Sequence, residues 1–335
     1  MSPGRRVLKV AGVTAGVAGG VAASVYGLQR GALIALRRRP DPDAGDLGQL
    51  EFDEALRLPS NDGGSIYTVS RGAGVPMLFS HGVTISSRVW VKQFRDLPDA
   101  GVRVMAFDHR GHGESTIGTS GHSVANLAAD LRIVVEGLDL RDAILVGHSM
   151  GGVAVQAFAL EHPDVLAERV RGIVLLSTLA KTSVSASRQL RWLAERVTSS
   201  FDLPRLMGRP NLGVLFARVG FGRSPRASWV ELNREMLASC DSSTARDATA
   251  ALLGLDLTRE LPRLDVPTLV IGGTSDVITP PAESRRLAEV IPGARLVLLA
   301  GAGHNIMLER TEEFHALVLG FARGLGLLPA TAGAA

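Results

Sequence analysis

Ser149 is the residue whose surroundings most clearly indicate chemistry. It stands in a Gly-x-Ser-x-Gly pattern with Gly147 and Gly151, between an apolar run that predicts a strand and a run that predicts a helix. This pattern is typical of a sharp turn in which the serine is strained and the two glycines let strand and helix approach closely. A serine at such a helix N-terminus is suited to acyl transfer, because the N–H groups and the helix dipole favour the negative charge that develops.

A serine hydroxyl needs a base that takes its proton and an acid that orients the base. Asp276 follows the apolar run Thr268–Ile271, and His304 lies in a Gly-rich loop after the run Leu296–Leu299. The other seven histidines fit worse, since none of them follows the last predicted strand. We therefore predict Ser149 as nucleophile, His304 as general base and Asp276 as the acid that orients the histidine.

Acyl transfer also requires two N–H donors for the developing oxyanion, one of them from the residue after the nucleophile. Met150 supplies that donor. A second predicted strand ends in His81 and Gly82, and the backbone N–H of the next residue, Val83, is the predicted partner.

A third turn, residues 108–115, brings two histidines and two carboxylates close together and raises the alternative of a metal site. Its glycines and charged residues are more typical of a tight turn with internal hydrogen bonds, and no other ligand cluster supports a metal. We predict neither a bound metal nor a cofactor.

These residues must be positioned by a regular framework of strands and helices. Alternating patterns on either side of residues 60–64 predict a hairpin, and the apolar runs that follow alternate with helical spacings, which indicates a mostly parallel sheet with helices on both faces. The predicted strands of that sheet are Pro76–Ser80, Val102–Phe107, Ala143–Val146, Gly172–Leu176, Pro267–Ile271 and Arg295–Leu299. The predicted helices are Val124–Leu138, Val153–Leu160, Ala282–Ile291 and Thr311–Leu325.

The long interval between the fourth and fifth of these strands has helical patterns and apolar residues, so we interpret it as an insertion that covers the strand ends, where open α/β sheets bind their ligands. The sequence then divides as follows: core residues 49–178 and 263–327, a helical cap or lid over 179–262, and a flexible tail over 328–335.

Together the motifs around residues 81–82, 108–115, 147–152, 275–276 and 303–304 resemble those of the α/β-hydrolase family. The resemblance covers residues 50–325 and implies the α/β-hydrolase fold with a Ser–Asp–His triad. Epoxide hydrolases and haloalkane dehalogenases, which are similar, carry aspartate where this chain has Ser149.

The resembling subgroup includes carboxylesterases, monoacylglycerol lipases, cofactor-free haloperoxidases and C–C bond hydrolases, and the fold alone does not choose among them. We expect a serine hydrolase that cleaves carboxylic esters with apolar acyl or alcohol groups through an acyl-enzyme, acting on a small-molecule ester. The alternatives are a cofactor-free haloperoxidase or perhydrolase with the same triad, and a non-catalytic binding protein with this fold.

The N-terminal segment, residues 1–39, lies outside the resemblance. Val10–Leu28 has no charged residue and is long enough to cross a bilayer, which predicts membrane association through residues 7–29 as an uncleaved anchor. An export signal and a helix on a cytoplasmic enzyme are the alternatives. Residues 40–48 are predicted to be a linker, and we expect a chain that begins at Asp41 to keep its turnover.

Composition excludes some other functions. The net charge is +3, much of the positive excess lies in the first forty residues and aromatic residues form only 4% of the chain, so nucleic acid is not a predicted partner. Cys240 is the only cysteine, which excludes an internal disulfide and a thiolate metal cluster. The particular ester and the oligomeric state do not follow from the sequence.

Overall fold

The computed structural model describes residues 30–182 and 188–330, apart from 32, 46 and 48, and its centre is an eight-stranded sheet. The strand order is β1-β2-β4-β3-β5-β6-β7-β8. The first hairpin pairs antiparallel, β2 is antiparallel to β4, and all remaining neighbours are parallel. The strands are β1 Glu54–Pro59, β2 Ser65–Arg71, β3 Val75–Ser80, β4 Val102–Phe107, β5 Ala143–His148, β6 Val170–Leu176, β7 Thr268–Gly273 and β8 Arg295–Leu299.

Two apolar layers cover the sheet, because successive side chains of a strand point to opposite faces. In β3, Met77 and Phe79 belong to one buried cluster, while Leu78 belongs to another. Phe94 and Phe314 complete the first cluster from their helices. Helices thus pack on both faces, as the sequence predicts.

Residues 30–31 and 33–37 are helical, and twelve further α-helices lie within the described part of the chain. Those outside the insertion are α1 Val91–Asp96, α2 Val124–Gly137, α3 Met150–Glu161, α4 Pro163–Arg169, α10 Pro281–Val290, α11 Ile306–Glu309 and α12 Thr311–Gly324. The four helices predicted from periodicity are confirmed with boundaries shifted by no more than three residues. The sequence prediction missed α1, α4 and α11, which have 6, 7 and 4 residues and are too short for a clear helical period.

The interval between β6 and β7 is helical, as predicted. It contains α5 Arg188–Ser200, α6 Leu203–Met207, α7 Pro210–Ala217, α8 Ala227–Ser239 and α9 Ser242–Leu252. Because the interval leaves β6 and returns to the parallel strand β7, it starts from the carboxyl edge of the sheet. Its role as a lid remains a prediction.

Residues just before the body are packed against it. Leu33 and Leu36 are buried in the first apolar cluster. Oδ2 of Asp43 accepts hydrogen bonds from Nζ of Lys92 in α1, at 2.7 Å, and from Nε1 of Trp229 in α8, at 2.6 Å. The stretch predicted as a linker therefore connects the insertion to the core through a buried carboxylate.

No helix in the described part of the chain is both long enough and apolar enough to cross a membrane. The predicted membrane segment, Val10–Leu28, lies outside the described residues.

Candidate active site

The nucleophile turn joins β5 to α3. Ser149 adopts φ 52° and ψ −118°, a backbone conformation that residues other than glycine rarely adopt. A Cβ added at Gly147 would lie 2.5 Å from the carbonyl oxygen of Gly151, and one added at Gly151 would lie 2.2 Å from the carbonyl oxygen of Ser80. Both positions therefore require glycine, for the reason that the sequence pattern predicts.

Asp276 and His304 form a buried pair at the ends of β7 and β8. Nδ1 of His304 lies 2.9 Å from Oδ2 of Asp276. The second carboxylate oxygen accepts backbone N–H groups from Ile278 and Thr279, both at 2.9 Å. Because an ionised carboxylate only accepts, Nδ1 carries the proton and Nε2 keeps a lone pair that can take up another. This is the tautomer that a general base for serine requires.

The charge state of Asp276 follows from its surroundings. Burial alone would raise the pKa of this carboxyl group. The charge of His304 and the hydrogen bonds from His304 and Thr279 outweigh burial and lower the pKa below its ordinary value. Asp276 is therefore ionised at neutral pH and can stabilise an imidazolium.

His304 lies against the nucleophile turn. The rings of His148 and His304 have centroids 4.6 Å apart, and Nε2 of His148 donates to the carbonyl oxygen of His304 at 3.1 Å. Among the described residues, no hydrogen bond joins the Ser149 hydroxyl to the His304 ring. Catalytic hydrogen bonds often tighten only when substrate is bound, so the absence of this bond from the described residues is compatible with proton transfer.

The loop that carries His304 is bonded to the insertion. The carbonyl oxygen of Gly220 accepts the backbone N–H of His304 at 3.1 Å. Glu309 accepts backbone N–H groups from Gly222, at 2.7 Å, and from Gly303, at 3.0 Å. The predicted base is thus held between the last strand and the insertion.

The predicted oxyanion loop lies directly beside the nucleophile. A Cβ added at Gly82 would lie 3.1 Å from Cβ of Ser149. The N–H groups of Val83 and Met150 donate to no backbone oxygen among the loop hydrogen bonds of the described residues. Met150 directly follows Ser149 and Val83 directly follows Gly82, so the two predicted donors belong to the two segments that meet at the nucleophile turn.

His81 orients the peptide that carries one of these donors. Nε2 of His81 accepts the backbone N–H of His109 at 3.0 Å, so Nδ1 carries the proton and donates to the carbonyl oxygen of Gly82 at 2.7 Å. Since the C=O and N–H of one trans peptide point in opposite directions, this bond turns the N–H of Val83 away from His81. Burial lowers the pKa of His81 to about 4, which keeps the ring neutral.

The turn at residues 108–115 is an internally bonded loop. Oδ1 of Asp108 accepts the backbone N–H of Ser87 at 2.7 Å, and Oδ2 accepts that of Glu114 at 2.9 Å. Arg110 makes a two-pronged ion pair with Asp130, at 2.6 and 2.8 Å. Within the described ranges, no group of three or more His, Cys, Asp or Glu side chains is arranged to hold a metal ion.

A cavity of about 490 Å³ opens beside this turn, and no member of the predicted triad lines it. Its walls include Tyr67, Ile85, Asp108, Met236 and Cys240. Burial raises the pKa of the Cys240 thiol to about 12, so the cysteine stays protonated and is a poor nucleophile.

Comparison with known proteins identifies the family of this chain. The family model described as the alpha/beta hydrolase fold matches residues 75–311, well over half of the sequence. A non-heme haloperoxidase from Rhodococcus erythropolis is 32% identical over 79% of this chain and 98% of its own length. The chain belongs to the α/β-hydrolase family. The fold predicted from the sequence is confirmed.

Other members of this family are similar over most of the chain. A non-heme chloroperoxidase from Kitasatospora aureofaciens is 30% identical over 74% of this chain and 92% of its own length. The crystal structure of an esterase from a Rhodococcus species superposes with a TM-score of 0.70 at 26% identity, and the match covers 82% of this chain and all of that one.

In this α/β hydrolase, the three residues predicted as a triad lie at the carboxyl ends of β5, β7 and β8. Sequence reasoning missed the residues that support them. Thr279 donates to Asp276, Thr178 donates to the carbonyl oxygen of Ser149 at 2.7 Å, and Glu309 braces the base loop. Thr279 could have been noticed because it lies three residues after the acid, whereas nothing in the spacing connects residue 178 or 309 with the site.

Proposed function

We propose that this protein is a serine hydrolase that cleaves carboxylic esters with apolar acyl or alcohol groups through an acyl-enzyme. One observation carries the proposal: the buried Asp276–His304 pair, with Nδ1 and Oδ2 2.9 Å apart, beside the strained turn of Ser149. Relatives described as esterases and haloperoxidases support it.

In the proposed first step, Oγ of Ser149 attacks the ester carbonyl carbon while its proton passes to Nε2 of His304. The carbonyl oxygen becomes an oxyanion that accepts hydrogen bonds from the N–H groups of Val83 and Met150. The C–O bond to the alcohol then breaks, and the alcohol leaves with the proton held by His304. Water repeats the sequence on the acyl-enzyme and releases the acid.

Asp276 is proposed to act through the imidazole and not on the substrate. It holds Nδ1 protonated in every step, and its negative charge stabilises the imidazolium that forms when Ser149 loses its proton.

We propose that the insertion forms the lid of this site. It starts from the carboxyl edge of the sheet, and its Gly220 is bonded to the loop of His304. Its apolar residues favour an apolar acyl or alcohol group over a charged one.

The second candidate is a cofactor-free haloperoxidase or perhydrolase, favoured by the relatives described as non-heme haloperoxidase and chloroperoxidase. In this reaction hydrogen peroxide replaces water in the second step, so that the acyl-enzyme releases a peracid. Supplying acetate, peroxide and bromide and following bromination of a dye distinguishes the two, since an esterase gives little bromination relative to ester hydrolysis.

The direct test of the proposal is hydrolysis of a short p-nitrophenyl ester by variants in the full chain. Ser149→Ala and His304→Ala should each lower kcat by orders of magnitude, and the double variant should lose no more than either, because triad members act as a unit. Ser275→Ala, next to the acid and without a side-chain role in the site, is the matched control. Turnover retained by Ser149→Ala would overturn the proposal and revive the non-catalytic binding protein.

A further inference from the structure

Exposed apolar side chains are concentrated in one part of the chain. Twelve large apolar side chains are exposed among the described residues, and six of them lie between Leu190 and Val219 of the insertion. Two more lie in the loop of the catalytic acid, at Val277 and Ile278. A soluble surface usually carries such residues singly, and a cluster marks a contact with a partner or a membrane.

Helix α5 has the composition of a helix that lies on a membrane. Leu190, Trp192 and Leu193 are 51%, 57% and 53% exposed. The same helix carries three arginines against one glutamate, and the guanidinium of Arg196 lies 5.0 Å from the centre of the Trp192 ring. Tryptophan and leucine beside arginine favour the interface of an anionic bilayer, where apolar groups enter the acyl boundary and arginines meet phosphates.

The chain that precedes the body leads to the insertion. Residues 33–47 pack on the insertion, because Oδ1 and Oδ2 of Asp41 accept hydrogen bonds from Ser228 at 2.8 and 2.7 Å and Asp43 accepts from Trp229. Residues 36–45 therefore lie beside residues 210–231 of the insertion. The apolar run Val10–Leu28 precedes them in the chain.

We propose that the exposed apolar side chains of α5, residues 201–219 and residues 277–278 share one face, and that this face docks on an anionic phospholipid bilayer. This orientation turns the carboxyl edge of the sheet, and with it Ser149, toward the lipid. The substrate class is then esters dissolved in the membrane, which reach the site without crossing water. The substrate class rests on the proposed ester hydrolysis, whereas the docking surface does not.

Trp192 is a built-in probe of this contact. The other two tryptophans, Trp90 and Trp229, are 0% and 5% exposed, so they report little on lipid. We expect the full chain, reconstituted in phosphatidylcholine–phosphatidylglycerol vesicles, to lose fluorescence when the acyl chains carry bromine. The loss should vanish in Trp192→Phe. An N-terminal anchor alone would not bring residue 192 within reach of the acyl chains.

Activity on two substrates completes the test. Leu193→Glu should lower the hydrolysis of a long-chain p-nitrophenyl ester in vesicles about tenfold, the scale expected for keeping one leucine out of an apolar environment. It should leave a short soluble ester unchanged. The control Leu56→Glu changes an equally exposed leucine on β1 and should affect neither substrate.

Two results would overturn the docking surface: equal fluorescence in plain and brominated vesicles, or a dimer cross-linked through residue 193, which would put a second copy of the chain in place of the bilayer. If the unaltered chain does not hydrolyse the short soluble ester, the proposed ester hydrolysis is refuted. The quenching result would still test the docking surface independently.

Discussion

Three residues at the carboxyl edge of the sheet hold positive φ angles although they carry side chains. They are Thr84 at 63°, Ser149 at 52° and Ser177 at 44°. Each such residue costs on the order of 1–3 kcal/mol and persists only when its surroundings hold it. Thr178 and the glycines around Ser149 supply that support at the nucleophile, so the strain presents the hydroxyl at the edge of the sheet.

Thr279 provides a test of the acid at the residue scale. Its hydroxyl donates to Oδ2 of Asp276 at 2.8 Å and lies 3.2 Å from Nδ1 of His304. Thr279→Val removes a hydrogen bond to a carboxylate and should lower kcat/KM about tenfold, or about 1.4 kcal/mol, with little change in KM. Thr279→Ser should restore most of the loss. An unaffected Thr279→Val enzyme would show that the hydroxyl does not position the pair.

The pH dependence of ester hydrolysis should have one acid limb. Only the neutral His304 ring can accept the serine proton, so kcat/KM should rise with pH and then level off. Burial lowers the pKa of His81 to about 4 and holds that of His148 well below its ordinary value, and the pKa of Asp276 is lowered as well. None of these groups should therefore add a second titration step to the pH profile of kcat/KM. A flat profile between about pH 5 and 9 would count against a histidine base.

At the scale of elements, the Asp43 contact shows how the insertion is fixed to the core. Asp43 joins Lys92 of α1 to Trp229 and Arg226 near the start of α8, and the Lys92 side chain is only 5% exposed. Removing one partner of a buried ion pair leaves the other charge without compensation, which costs about 3–5 kcal/mol. Asp43→Ala should therefore lower Tm by about 10 °C.

The control for this prediction is Asp99→Ala, which changes an exposed aspartate and should alter the free energy of unfolding by no more than about 0.5 kcal/mol. Equal Tm values for the two variants would mean that the Asp43 contact contributes nothing to stability.

Elements and site were not equally predictable from sequence. The strands around Val146 and Ile271 are continuous apolar runs, since a parallel sheet is buried on both faces, and such runs stand out. The nucleophile turn was predictable because its glycines are required by local sterics: a side chain at either position would clash with nearby backbone. The docking of Asp43 was not, because its partners lie 49 and 186 residues away and a Pro/Asp/Gly stretch looks the same whether it is packed or exposed.

At the scale of the whole molecule, Leu33 and Leu36 are buried in the core, so the folded body begins before residue 49, where the sequence prediction placed its start. A chain that begins at Arg30 should keep its turnover on a soluble ester. One that begins at Asp41 loses two buried leucines, each worth about 2–5 kcal/mol, and should unfold at lower temperature. Comparing the Tm of the two truncations tests this. Equal Tm values would restore the linker interpretation that the sequence suggests.

We propose that the run Val10–Leu28 anchors the protein in a membrane. The full chain should then sediment with membranes and leave them only in detergent, while the chain from Arg30 should be released by high salt, which screens the arginines of α5. An intact mass that matches a chain starting after Ala23 would instead support export with cleavage of a signal peptide. A full-length chain in the soluble fraction would contradict the anchor.

The activated serine can be measured most directly by labelling the full chain with a fluorophosphonate and locating the adduct by peptide mass. Such probes react with serines that a neighbouring base has activated. The account predicts one adduct on Ser149, absent from Ser149→Ala, greatly slowed in His304→Ala and unchanged in Ser275→Ala. An adduct on another residue, or no adduct in an enzyme that still hydrolyses esters, would contradict it.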